Sequence, residues 1–333
     1  MFATLLGALP SPPGDADLES AIRTAIRAQE EAGLEPITDG RLRGPLPAWI
    51  APDGTIDRDT ILGAWRFAAA ATDRAVKQAL PGPYTAMRRG LPAASNDRGT
   101  MGSRAGQSAA PATGRAFAAA EAIREVVQAL AAAGCPMVEI EETDAHLIGE
   151  DEHERVLFRE AHQRLAEGIE GTHLSLSIAG GSAWGAGIET FADLPYASLA
   201  VDLIEGPDNW NLVTRLPGDR GVIAGALPAK ASPADAKELL VWAARYAAAS
   251  QGRGLDRVGL GSAGSWANLT WVAALEKLKR LGEAARLAST PAGDRLARQL
   301  DPRAVSARRA AMGHDPQPGP DGPIDRDPGS SKR

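Results

Sequence analysis

Residues 2–13 read FATLLGALPSPP, an apolar run over 2–9 that is stopped by Pro10, Pro12 and Pro13. A short apolar run bounded by prolines suits a buried strand. The residues just after that run separate two α/β architectures. A doubly wound sheet of the dinucleotide-binding type carries G-x-G-x-x-G directly after its first strand, and here that place is rich in proline. Asp17 then opens a helix whose apolar positions Leu18, Ile22 and Ile26 recur at helical spacing until Gly33. The chain therefore begins with a strand–helix unit that lacks the phosphate-binding turn.

The same unit recurs along the chain. Strands are expected at 36–38, at about 80–85, and at 137–141, 172–178, 198–204, 221–227 and 257–260. Helices are expected at 59–79, 115–133, 152–167, 232–250 and 265–288, with a short one opening at Pro207-Asp208. Ser232 and Pro233 have the residue types of a helix N-cap and first turn. Eight strands, each followed by helical sequence, predict a single (β/α)8 TIM barrel over residues 1–300. Residues 88–114 are small, polar and rich in Gly, Ser and Pro; they read as a flexible loop, either a surface insertion or an active-site lid. Residues 301–333 have the composition of a disordered tail.

Composition narrows the function. The chain has 333 residues, is 44% hydrophobic and carries a net charge of −6, which supports a packed core and offers no basic field for nucleic acid. No apolar stretch reaches the roughly 18 residues of a membrane span, and residues 1–13 lack the basic start of a signal peptide. A cytoplasmic enzyme acting on a small molecule is the expectation, and nothing bears on its oligomeric state. One cysteine, Cys135, excludes a zinc site built on two thiolates of this chain. Its position at a helix-to-strand turn reads as a small buried residue.

In a barrel the working residues lie at the C-terminal ends of strands. The densest candidate is 139–146, EIEETDAH. Strand alternation puts Glu139 and Glu141 on one face, where two carboxylates in a confined space suit acid–base work or a metal cradle. A solvated loop is the alternative reading of the acidic residues from Glu142 to Glu154, and it is the expected one from Glu150 onward. His173, Ser175 and Ser177 share a face, which is unusual on a buried parallel strand. The small residues 259–265 before a helix suit an anion, with Lys230 close by. The pocket expected from these positions is lined by Arg41, Tyr84, Thr85, Glu141, His146, His173, Asp202 and Lys230. Glu141, His146 and His173 are its acid–base candidates.

Taken in order, several segments resemble the catalytic domain of cobalamin-independent methionine synthase, within the uroporphyrinogen decarboxylase/methionine synthase-like barrels. Residues 2–10 are similar to that family's opening T-x-x-G-S-x-P, and 29–40 (QEEAGLEPITDG) to its Q-E-x-x-G-L-D-x-x-x-x-G-E. Residues 81–85 (PGPYT) match G-P-x-T, 133–142 resemble A-G-x-x-x-I-Q-I-D-E-P, and Thr172-His173 resembles T-H-x-C. The resemblance spans residues 2–288.

It implies methyl transfer from a folate to a homocysteine thiol activated by zinc, with neither cobalamin nor a nicotinamide. The family's metal is held by a histidine, two cysteines and a glutamate. Here His173 matches the histidine, and Asp202 or Glu205 the carboxylate. Ser175 replaces one cysteine, and Ser262 or Ala263 the other. Arg41 stands where the family has a glutamate for the substrate's ammonium, and Glu141 replaces an aspartate. These changes imply a methyltransferase-like enzyme with a rebuilt, degenerate zinc site, in which Arg41 clamps a substrate carboxylate. A metal-free, decarboxylase-like enzyme and a metabolite-binding pseudoenzyme remain the alternatives.

Overall fold

The computed structural model describes residues 1–14, 17–46, 56–89, 109–230 and 236–290. Seven strands are present among them: β1 (Phe2–Thr4), β2 (Gln78–Pro81), β3 (Met137–Glu142), β4 (His173–Ile178), β5 (Ser198–Asp202), β6 (Gly221–Pro228) and β7 (Val258–Ala263). They form one all-parallel sheet in the order β1-β7-β6-β5-β4-β3-β2. The helices are α1 (Leu18–Ala32), α2 (Arg58–Ala69), α3 (Pro83–Arg88), α4 (Ala109–Ala132), α5 (Glu152–Ala166), α6 (Glu189–Ala192), α7 (Trp210–Arg215), α8 (Lys237–Ala249) and α9 (Trp271–Ser289).

The expected second strand does not join the ladder. Residues 35–38 are tied to their neighbours only by single bridges, Ala3 with Glu35 and Ile37 with Val76. Pro36 has no N–H to donate. Gln29, buried on α1, takes both backbone groups of Thr38, accepting from its N–H at 3.0 Å and donating to its carbonyl at 2.9 Å. Thr4 Oγ1 donates to the carbonyl of Pro36. Side chains thus occupy groups that a strand would have offered to a ladder. The segment nevertheless bridges β1 on one side and the approach to β2 on the other.

Other boundaries also differ from the sequence reading. The first strand is three residues rather than eight: Leu6 N–H leaves the ladder for Ser262 Oγ, and Gly7 turns the chain at φ +92°. The helix expected at 59–79 ends at Ala69, because Thr72 caps a turn at Arg74 and Gln78 already belongs to β2. Tyr84 and Thr85 therefore lie on a helix, α3, which Pro83 starts. The final helix begins at Trp271, capped by the Thr270 hydroxyl, and not at Ser265. In the expected loop at 88–114, Arg88 ends α3 and 109–114 belong to α4. Residues 90–108, the proposed cap at Ser232-Pro233 and the tail at 301–333 lie outside the described residues.

The two faces of the sheet differ sharply. Val138, Ile140, Leu174, Leu176, Leu199, Val201, Val222 and Ala224 form a buried apolar face. Helices pack against the sheet on that side, α8 and α9 over β6 and β7. The opposite, inward face carries Glu139, Glu141, Ser175, Ser177 and Ser198 on β3–β5, all buried, in matching register. It closes on an apolar cluster of Leu6, Met137, Ala200 and Ile223 with Phe2 against it. Gly259 and Gly261 leave room there, since a Cβ would sit 2.5 Å from the Phe2 ring or 2.8 Å from Leu6. No described helix is long and apolar enough to cross a membrane.

Candidate active site

At the C-terminal end of β3 the inward face reaches a pocket of about 420 Å³ walled by Arg41, Glu141, Thr85, Thr143, Arg89 and Ser265. Arg41 enters it from the Asp39-Gly40 turn at the end of the bridged segment. Its backbone is left-handed at φ +53°, uncommon for a residue with a Cβ, and Gly40 before it is left-handed as well. The turn is held by the Asp39 carboxylate, which accepts from Arg41 N–H at 2.8 Å. Strained backbone of this kind collects at sites where a side chain must be aimed. Here it aims the guanidinium at Glu141, Nη1 to Oε1 at 2.5 Å.

A buried electrostatic stem lies beneath that pair. Lys77 Nζ donates to Glu139 Oε2 at 2.7 Å, and both side chains are shut off from solvent. Burial pushes the Glu139 carboxyl above its ordinary range, Lys77 pulls it down, and the neighbouring Glu141 pushes it up again. Asp39 is also raised, chiefly by burial, against the lowering effect of Arg41 N–H and the Arg43 and Arg41 charges. The carboxylates at the pocket are thus interleaved with cations, as dense buried charge requires.

A second framework faces outward. Glu142, one residue on from Glu141, points to the helices and is fully buried, not part of a solvated loop. Its carboxylate accepts from the N–H groups of Tyr84 (2.9 Å) and Thr85 (2.7 Å) at the start of α3, and pairs with His162 Nε2 at 3.0 Å. His162 Nδ1 meets the Tyr196 hydroxyl at 2.6 Å. Burial, then Glu142, raises the Tyr196 hydroxyl well above its usual range. Gly82 is obligatory here, because a Cβ would fall 2.2 Å from the Glu142 carboxyl. An anion at a helix start is favourable, and this one fixes α3 so that Thr85 and Arg89 face the pocket. Arg89 in turn forks onto Asp144 through Nε and Nη2, at 3.2 and 2.9 Å. Sequence reading missed Glu142 and Arg89. Gly82-Pro83, the start of a short helix with no side chain of its own to cap it, was the available signal.

The other expected site residues are dispersed. Tyr84 is fully buried; its hydroxyl donates to Glu154 and accepts from Arg88, and burial followed by Glu154 pushes it far up. His146 packs under Gly180-Gly181, with Nδ1 3.0 Å from the Thr143 carbonyl. Asp202 is buried and accepts from the N–H groups of Ile204 and Glu205. Lys230 is exposed, and its carbonyl receives Lys277 Nζ. The 259–265 segment does not open a helix toward an anion. Instead Trp266 N–H donates to the Ala8 carbonyl, and Gly7 lies against Ser265. Cys135 is buried, with its thiol pushed up to about 11.

His173 is at the far end. It is the first residue of β4 and pairs in register with Met137, four residues before Glu141. At about 3.3 Å per residue, the separation is roughly 13 Å. Its Nε2 lies 2.8 Å from Ser198 Oγ, which donates to Ser175 Oγ at 2.9 Å. Burial holds the imidazole below its ordinary pKa. The implied zinc set therefore does not assemble. His173 and Ser175 are joined to Ser198, Ser262 Oγ is held by the backbone of Leu6, and Glu205 is exposed. Among the described residues no group of three or more His, Cys, Asp or Glu side chains is placed to hold a metal ion. A hydroxyl already engaged by backbone is a poor substitute for a thiolate, so these residues do not fit the family's metal.

No family model matches the chain. A 202-residue stretch, 56% of the chain, is 29% identical to the 5-methyltetrahydropteroyltriglutamate–homocysteine methyltransferase of Rhodopseudomonas palustris (strain TIE-1). The match spans only 25% of that relative's length. The fold is similar to a B12-independent methionine synthase from Shewanella sp. W3-18-1, solved with selenomethionine, at TM-score 0.67 and 14% identity over 86% of this chain and 96% of that one. A putative vitamin-B12-independent methionine synthase from Listeria monocytogenes gives TM-score 0.64 at 16% identity, over 87% and 98%. A methyltransferase from Methanosarcina mazei gives 0.58 at 14%, over 87% and 94%. A stretch of the sequence is thus similar to a homocysteine methyltransferase, and the fold to B12-independent methionine synthases.

Proposed function

We propose that the chain is a methionine synthase-like (β/α)8 barrel enzyme in which the bridged segment 35–38 takes the place of the missing strand. It transfers a methyl or other small alkyl group to or from a small molecule held in the pocket of Arg41 and Glu141. The observation that carries this reading is the Arg41–Glu141 pair, set at the C-terminal edge of a sheet whose fold is shared with methyltransferases. Arg41 receives the substrate's carboxylate, because a planar guanidinium matches it with two parallel hydrogen bonds. Glu141 is the base beside it. As the acceptor atom bonds to the alkyl carbon, the donor atom leaves with the electron pair of the broken bond, and the acceptor's proton passes to Glu141. Zinc has no part in this step, since His173, Ser175 and Ser262 are engaged elsewhere.

The test is transfer of a 13C-labelled methyl group, followed by NMR, from 5-methyltetrahydrofolate or S-methylated donors to thiol and amine acids. The expected result is labelled product with the wild-type protein and a loss of at least about 100-fold with Glu141→Gln, the usual weight of a general base. Equal turnover in Glu141→Gln would overturn the assignment of the base. Specific binding without turnover by any donor would favour the metabolite-binding pseudoenzyme, which the loss of the thiolates also supports.

A further inference from the structure

The pocket holds a second cation that the alkyl-transfer reading does not use. Arg89 lines it together with Arg41, so two guanidiniums and one carboxylate, Glu141, face a single cavity in a chain whose net charge is −6. Their support differs from that of a surface ion pair. Arg41 is aimed by a left-handed turn, and Arg89 is held by a fork onto Asp144, whose own N–H donates to Thr85 Oγ1 at 3.1 Å. Half of the Arg89 side chain is nevertheless open, at 49% exposure. Arg41 Nε is buried with no hydrogen-bond partner among the described residues, although its neighbour Nη1 is taken by Glu141. That Nε is a donor which an acceptor on a ligand could meet.

We infer that the ligand of this pocket is a dianion: one carboxylate is received by Arg41, and a second anionic group at the other end by Arg89. A carboxylate or a phosphoryl group would serve as the second anion, since both present oxygens that a guanidinium can fork onto. The two carboxylates paired with the guanidiniums then act in different ways. Glu141 keeps Arg41 oriented, and Asp144 keeps Arg89 from folding back to solvent. An amino acid with one carboxylate on Arg41 and an ammonium at its other end would place that cation beside the Arg89 guanidinium, which disfavours it. This inference rests on the proposed role of Arg41, and the test separates the two.

Calorimetric titration of the full chain compares butyrate, succinate and 3-phosphonopropanoate, for the wild type, Arg89→Gln, Arg89→Lys and Arg41→Gln. The expected result is that a dianion binds the wild type at least about tenfold more tightly than butyrate, as one added charged hydrogen-bonding group gives. Arg89→Gln should weaken succinate and 3-phosphonopropanoate far more than butyrate and so erase that preference. Arg89→Lys, which keeps the charge but loses the fork, should keep part of it, and Arg41→Gln should weaken all three ligands. The ranking of succinate against 3-phosphonopropanoate identifies the second anion. Equal binding of butyrate and both dianions by the wild type, or a dianion preference unchanged in Arg89→Gln, would overturn the inference and leave the role of Arg41 standing. Binding of none of the three would remove that role as well.

Discussion

The two ends of β3 and β4 both gather polar residues, and they arrange them differently. At the C-terminal end, Arg41–Glu141 and Arg89–Asp144 are charge pairs at the wall of a pocket. At the N-terminal end, His173, exposed at the edge of the sheet, forms a hydrogen-bonded chain with Ser198 and Ser175, and the partial burial of its imidazole lowers its pKa. Between them lies the Lys77–Glu139 pair, sealed from solvent. The inward face of the sheet thus carries polar residues in two different arrangements. The C-terminal end differs in carrying charge that is held in position by other groups and still borders a pocket, the arrangement a binding site needs.

That contrast can be broken most forcefully at the stem. Lys77→Met leaves Glu139 buried and unpaired, and should cost about 3–5 kcal/mol of stability in chemical denaturation. The double variant Lys77→Met/Glu139→Leu should recover most of that loss. If the single variant were as stable as the wild type, the stem would not be a sealed electrostatic support. Glu142→Ala comes next, because it strips the Tyr84 and Thr85 N–H groups and His162 of a shared acceptor. Each buried group left unmet costs about 1–3 kcal/mol, so a loss of about 2–3 kcal/mol after partial relaxation is the expected denaturation result. Thr85 and Arg89 move with α3, so succinate affinity should fall with it, and an unchanged affinity would detach the outward frame from the pocket.

The smallest effect is expected at the other end. His173 is depressed below its ordinary value of 6.5 by burial. Its stabilising contribution is therefore present above that value and is lost as pH falls toward the lower folded-state pKa, because the unfolded chain takes up the proton first. His173→Gln should flatten the pH dependence of the melting temperature below about pH 6.5 while leaving ligand affinity within a factor of about two. A large loss of affinity would move the working site to the N-terminal end and reverse the comparison.

Part of this was legible from residue order. Alternation correctly placed Glu139 with Glu141 and Ser175 with Ser177, because register on a parallel sheet preserves the period of two. The repeated strand–helix units announced a parallel sheet, and Arg41 and Glu141 stood out as altered positions within the family resemblance. The end of a strand on which a residue lies was not legible. Thr172-His173 matched a family motif, but β4 starts at His173 and runs on to Ile178, so the match fell on the wrong edge. Gly180-Gly181 marked the true exit, several residues later. Long-range partners were equally hidden. Nothing local to Glu142 announces His162 or α3, and nothing local to 36–38 announces that Gln29 would take the groups of Thr38. Those contacts depend on which segments the fold brings together.

A crystal of the full chain soaked with succinate addresses the central claim most directly. The account predicts density in the C-terminal pocket with one carboxylate on Arg41 and the other on Arg89. Density beside His173 and Ser198, or a C-terminal pocket empty at saturating succinate, would contradict it.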